Sequence, residues 1–268
     1  MSGAGRIAAA FETCRTQRRA ARIPFLVCGD PSPEMTVPLC EAFARAGADV
    51  IELGVPFTDP LADGPTIQRA AGRALAHGVT LSQSIAMAAA VRARIGVPLV
   101  LFTYVNPILR MGEEAFAERV AGAGVDGVLV TDLPLEEGEG LRALLMDRGV
   151  DPILLVAPTS GSARIAAAAR AARGFIYCIA RMGVTGARED LPEGLAGEVA
   201  SIRDATSLPV GVGFGISTPH QVKAAGAIAQ GVVVGSALVA FIEAAVARGE
   251  MVSVVAQVEK EASRIFGT

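Results

Sequence analysis

The chain has 268 residues, 51% of them hydrophobic and 19% charged, with a formal net charge of -3. That apolar share builds a large core and excludes a disordered chain, while the weak negative balance and the lack of a Lys/Arg run leave no electrostatic attraction toward nucleic acid or anionic lipid. Two histidines (His77, His220) and four cysteines (Cys14, Cys28, Cys40, Cys178) without a C-x-x-C pair cannot supply a multi-histidine metal site or a disulfide framework, and leave few candidates for a Ser-His-Asp triad. The cysteines read as small buried hydrophobes of a reducing, cytoplasmic compartment and the histidines as surface residues.

Near the N-terminus an apolar stretch around Ile7 and Phe11 precedes Arg15, Arg18, Arg19 and Arg22. A secretory signal has the opposite order, so this segment reads as an amphipathic first helix. Eight short runs rich in Val, Ile and Leu follow at Ile23–Cys28, Asp49–Leu53, Pro98–Thr103, Gly127–Thr131, Ile153–Val156, Phe175–Ile179, Val210–Gly213 and Gly231–Val234, with Ala-rich helical stretches between them. Runs that are apolar throughout belong to strands covered on both faces, as in parallel sheets, and the helical stretches supply the crossovers. From Gly226 to Val246 the chain is apolar for nearly the length of a membrane span. Within it, however, Gly231 to Val234 is β-branched and Gly235-Ser236 is turn and N-cap chemistry, which predicts a buried strand passing into a helix. Eight strand-helix units in a chain of this length, with no linker to divide it, predict an α/β fold: a single (β/α)₈ TIM barrel over residues 1–268 with an additional N-terminal helix. The rival is an open doubly wound sheet. Its G-x-G-x-x-G fingerprint is missing, because the first strand is followed by Gly29-Asp30-Pro31-Ser32-Pro33.

In such a barrel the loops after the strands build the active face. Glu52 lies inside an apolar strand, where an ionised side chain carries a desolvation cost. It is either a site acid or a buried acid paired with Lys or Arg for structure. Asp63 lies in the long loop after that strand, as a site residue or as the N-cap of a helix after Pro65, and Asp59, followed by Pro60, is equally an Asx-turn residue. Three glycine clusters fall after strands six, seven and eight: Gly183-Val184-Thr185-Gly186, Gly213-Phe214-Gly215 and Gly235-Ser236. Each alone is compatible with a tight turn. On adjacent loops, with no lysine among them, they predict a phosphate cradle of backbone N–H groups, a helix N-terminus and a Ser hydroxyl.

The stretch 51–68, IELGVPFTDPLADGPTIQ, resembles the signature of the tryptophan synthase α subunit family. The likeness extends through Thr103-Tyr104-Val105-Asn106-Pro107, Asp132-Leu133-Pro134, Gly183 to Ala187, Gly213 to Ser217 and Gly235 to Ala237. It implies a carbon-carbon lyase of tryptophan biosynthesis, cleaving indole-3-glycerol phosphate to indole and glyceraldehyde 3-phosphate by a retro-aldol reaction, with no metal and no organic cofactor in this chain. By the same resemblance Glu52 shuttles the protons, Asp63 stabilises positive charge at the indole nitrogen, and Tyr177 sits beside Glu52. Burial is expected to raise the Glu52 pKa toward neutrality. Phe25, Leu101 and Phe214 are candidates for an apolar indole slot, each equally an ordinary core residue. Thr185, Gly186, Gly215, Gly235 and Ser236 complete the expected substrate contacts, with Thr185 meeting Asp63 when the loops close. Around Arg181 this chain has Ala180 and Met182 where many members of the family carry small hydroxyl residues, so altered mobility of that loop is expected. The resemblance also implies a β subunit as partner in an α2β2 complex, engaged through Asp59 and Pro60 and itself holding pyridoxal phosphate. A stand-alone lyase, a silent barrel that regulates the β subunit and a phosphosugar epimerase or isomerase are the alternatives.

Overall fold

The structure is a computed structural model that describes residues 5–61, 63–157, 160–179, 191–213 and 215–268. Eight parallel strands close into a barrel in chain order, and the last pairs with the first. They are β1 (Ala21–Val27), β2 (Ile51–Gly54), β3 (Leu99–Thr103), β4 (Gly127–Val130), β5 (Asp151–Val156), β6 (Ile176–Ile179), β7 (Val210–Gly213) and β8 (Gly231–Val234). The eight expected runs fall on these strands, with identical bounds at β7 and β8 and shifts of up to two residues elsewhere.

The barrel is wrapped by helices α1 (Arg6–Thr16), α2 (Thr36–Arg45), α3 (Pro65–Ala76), α4 (Leu81–Arg92), α5 (Val105–Met111), α6 (Glu113–Gly122), α7 (Glu139–Asp147), α8 (Ser162–Ala171), α9 (Leu195–Ala205), α10 (Pro219–Ile228), α11 (Ser236–Ala247) and α12 (Val254–Phe266). Alternate strand residues divide the core into two layers. Ile51, Leu53, Leu99, Leu101, Ile176 and Val212 pack outward among helix residues, whereas Ile23, Val50, Val100, Leu129, Ile153, Phe175 and Val233 fill the inside.

The expected first helix is α1, and it plugs the N-terminal end of the barrel. Ile7, Phe11 and Cys14 are buried in the inner cluster, and the Phe11 ring lies 5.5 Å from Phe175. Covering each of Ile7 and Phe11 contributes on the order of 2 kcal/mol. Arg6 of this helix and Arg92 of α4 both pair with the fully buried Asp126 before β4, so the plug is held by charge as well as by apolar area. The opposite rim is formed by the loops after the strands, the active face of this architecture. The segment 226–246 resolves into the end of α10, then β8 and most of α11. No single helix among the described residues is long and apolar enough to cross a membrane. All four cysteines are buried, and both histidines are exposed.

Candidate active site

At the C-terminal ends of the strands a cavity of about 310 Å³ is lined by Phe25, Glu52, Asp63, Gly64, Pro65, Thr66, Ile67, Phe102, Tyr177, Gly215, Val233, Gly235 and Ser236. Glu52 forms its floor. The register sets Phe25 on one neighbouring strand and Val100 on the other directly beside it, so the acid is walled by apolar groups. It is 1% exposed, and its Oε1 has no hydrogen-bond partner among the described residues. Burial alone pushes its pKa up to about 8. Among the described residues no guanidinium or ammonium lines the cavity, so none of them forms the structural ion pair that is the other reading of this acid.

Tyr177 projects from β6 into the same space. Its hydroxyl lies so close to Gly213 that a Cβ there would overlap it, which is why β7 ends on a residue with no side chain. Burial first, and then the nearby Glu52 charge, raise the Tyr177 pKa well above its ordinary value, so the phenol stays neutral.

Asp63 is not the N-cap of α3. Pro65 occupies the first turn and Gly64 takes the cap position in extended backbone, without a side-chain cap bond. The carboxyl is thereby left to the cavity. Burial raises its pKa, and a hydrogen bond with the Tyr104 hydroxyl opposes the rise. Tyr104 is itself held by stacking on Phe57, ring centroids 4.9 Å apart, and the Gln68 amide donates to the Asp63 carbonyl at 2.8 Å. The loop end carrying Asp63 is therefore fixed from both sides.

Phe25 and Phe102 form an edge-to-face apolar wall of the cavity with centroids 5.6 Å apart. Leu101, expected in the slot, is instead wholly buried in the outer layer among helix residues. Successive strand residues face opposite ways, so its neighbour Phe102 takes the place expected of it. Sequence reasoning also missed Thr66, Ile67 and Val233. On the far lip, Gly215 has φ +78, and α11 begins at Ser236 after Gly235, pointing the N–H groups of a helix start toward the cavity. Thr185, Gly186 and Phe214, together with Ala180 and Met182, lie outside the described residues. Asp59 is on the rim, exposed, accepting from the Thr58 hydroxyl at 2.6 Å; Pro60 beside it is half-buried and Leu61 is 87% exposed.

A wider cleft of about 940 Å³ opens at the N-terminal end between α1 and the starts of β5 to β7. It is lined by exposed arginines on the face that carries stability in this architecture, and neither Glu52 nor Asp63 reaches it. The smaller cavity is the one that gathers both acids, Glu52 and Asp63.

Three comparisons agree with this geometry. The sequence profile of the family described as tryptophan synthase alpha chain matches residues 11–265. The alpha chain of Solibacter usitatus is 48% identical over 238 residues, 89% of each protein, and that of Geobacillus stearothermophilus is 52% identical over 222 residues, 82% of each. Among solved structures, tryptophan synthase subunit alpha of Legionella pneumophila superposes with a TM-score of 0.88 at 33% identity, covering 97% of this chain and 96% of that one. The tryptophan synthase structure from Mycobacterium tuberculosis gives 0.86 at 37%, with 97% of both covered.

Proposed function

The chain belongs to the tryptophan synthase alpha chain family, and on that premise we propose that Glu52 carries both proton transfers of the family's reaction. That reaction is the retro-aldol cleavage of indole-3-glycerol phosphate to indole and glyceraldehyde 3-phosphate. Protonated Glu52 gives its proton to indole C3, leaving an iminium at the ring nitrogen whose charge Asp63 stabilises. The resulting carboxylate takes the proton of the glycerol hydroxyl next to the breaking bond. The O–H pair becomes the aldehyde C=O, the C–C pair restores the indole double bond, and Glu52 ends protonated as it began. Tyr177, neutral, is assigned to orient the glycerol portion beside Glu52.

The observation that carries this reading is a carboxyl group buried in an apolar cavity with no cation beside it among the described residues, its pKa pushed up to about 8 by burial, and a second acid at the cavity mouth. The pH dependence tests it. The active free enzyme holds its proton, so kcat/KM is expected to be level from about pH 6.5 to 7.5 and to fall tenfold per unit above about 8. A profile that rises through that range would assign the opposite starting state.

Phe25 and Phe102 are assigned to the indole ring. Gly215, Gly235 and Ser236 are assigned to the phosphate, with Gly186 as a further donor and Thr185 as the closing partner of Asp63. Ser236→Ala should weaken binding of glyceraldehyde 3-phosphate at least about tenfold, since a hydrogen bond to a charged group is worth about 1.5–3 kcal/mol, and leave indole binding unchanged. Equal losses in calorimetry with the two ligands would remove Ser236 from the phosphate subsite.

The exposed Asp59 and Leu61, on the loop that ends in Asp63, support a partner surface. The assigned partner is a β subunit in an α2β2 complex. Pyridoxal phosphate belongs to that subunit in this reading, the chemistry of this chain uses no cofactor, and the complex works in the cytoplasm. A partner that prefers the closed loop shifts its population by differential affinity alone. Adding a β subunit is expected to raise kcat for cleavage at least tenfold, a coupling of about 1.4 kcal/mol. Asp59→Ala should reduce that factor at saturating partner and spare the unassisted rate. An unchanged factor would place the signal elsewhere.

A further inference from the structure

The two lips of the substrate cavity are starts of helices. Asp63, Thr66 and Ile67 stand at the head of α3, and Gly235 and Ser236 at the head of α11. Below the rim the helices are joined by one charged cluster. The Arg73 guanidinium on α3 donates from Nε and Nη2 to the two carboxylate oxygens of Asp30, at 2.6 and 3.2 Å, and from Nη1 to Glu243 on α11 at 2.7 Å. Arg69, one turn up α3, reaches the same Glu243 with two bonds of 2.8 Å. Asp30, in the loop after β1, is 2% exposed.

The position of this cluster matters more than its charge. Arg73 lies about 12 Å along α3 from Pro65, and Glu243 about 10 Å along α11 from Ser236, at 1.5 Å rise per residue. A tilt or slide of either helix at the cluster is therefore delivered at the rim, where it changes the distance between Asp63 and the phosphate lip. A planar guanidinium with a fixed fork resists such movement better than an ammonium, which gives one strongly hydrated point of contact. Misplacement of reacting groups by about 1 Å can cost on the order of 100-fold in rate.

We propose that Arg73 is a positioning residue for the cleavage reaction: forked between Asp30 and Glu243, it sets the spacing between the Asp63 lip and the Ser236 lip of the cavity. It touches no substrate. The inference rests on the assignment of this cavity to indole-3-glycerol phosphate, so wild-type turnover is measured in the same assay, and its absence would bring down that assignment together with the inference.

The test compares Arg73→Lys and Glu243→Gln with wild type at 25 °C, alongside thermal melts. Arg73→Lys retains a cation beside the buried Asp30, and Glu243→Gln leaves the Arg73–Asp30 pair intact, so at least one variant keeps the fold if the other does not. Arg73→Lys is expected to lower kcat/KM about tenfold and Glu243→Gln about threefold, with the pH dependence set by Glu52 unmoved. Combining Arg73→Lys with Ser236→Ala should cost at least threefold less than the product of the two single losses, because a lip already misplaced has less to lose. A merely stabilising cluster would lower the melting temperature, leave kcat/KM within twofold of wild type, and give losses that multiply. That outcome overturns the proposal.

Discussion

Glu52→Gln is expected to lower kcat for cleavage by at least about 100-fold while substrate binding stays near wild type. The amide keeps the shape of the side chain but can neither give nor accept the transferred proton, and general acid-base catalysis contributes roughly 100- to 10,000-fold. The same substitution should make the protein more stable. The folded-state pKa of about 8 lies above the ordinary value of 4.5, so the native state keeps a proton that the unfolded chain releases. Stability from this group is present below about pH 4.5 and is lost as pH rises toward 8. Glutamine has nothing to ionise, so the melting temperature of the variant should exceed that of wild type at pH 8 by more than at pH 5.5. Lost activity with a lower melting temperature at pH 8 would instead make Glu52 a structural residue.

Asp63→Asn is expected to lower kcat roughly 100-fold with a smaller change in KM. Removing one group aimed at developing charge costs about 100- to 1,000-fold in enzymes that depend on it. Asparagine still accepts from the Tyr104 hydroxyl, and the Gln68 contact is to backbone, so the loop keeps its anchors and loses only the negative charge. Single-turnover kinetics isolate the step. A loss below about tenfold would leave Asp63 as an anchor of the rim loop and assign the charge at the indole nitrogen to another group.

The eight strands were legible because each is a short apolar run set off by helical stretches, and their order follows once the sheet is parallel and closed. Which way their side chains face was not. Leu101 and Phe102 are adjacent apolar residues in a strand buried on both sides, where no polar alternation marks the inner face. The register supplies the missing fact, since Glu52 pairs with Val100, so Val100 and Phe102 share its side of the sheet. Asp63 was more legible than the N-cap alternative allowed, because proline favours the first helical position and Gly64-Pro65 already names the cap. The cluster of Asp30, Arg73 and Glu243 could not be read from the chain at all. Its members are as far as 213 positions apart, and only barrel closure brings β8 and its helix back beside β1.

Purified chain incubated with indole-3-glycerol phosphate, with and without a β subunit, should yield indole and glyceraldehyde 3-phosphate in equal amounts, faster with the partner and at a rate that Glu52→Gln nearly abolishes. Substrate recovered intact in both arms, or rearranged without breaking the bond to indole C3, would contradict it.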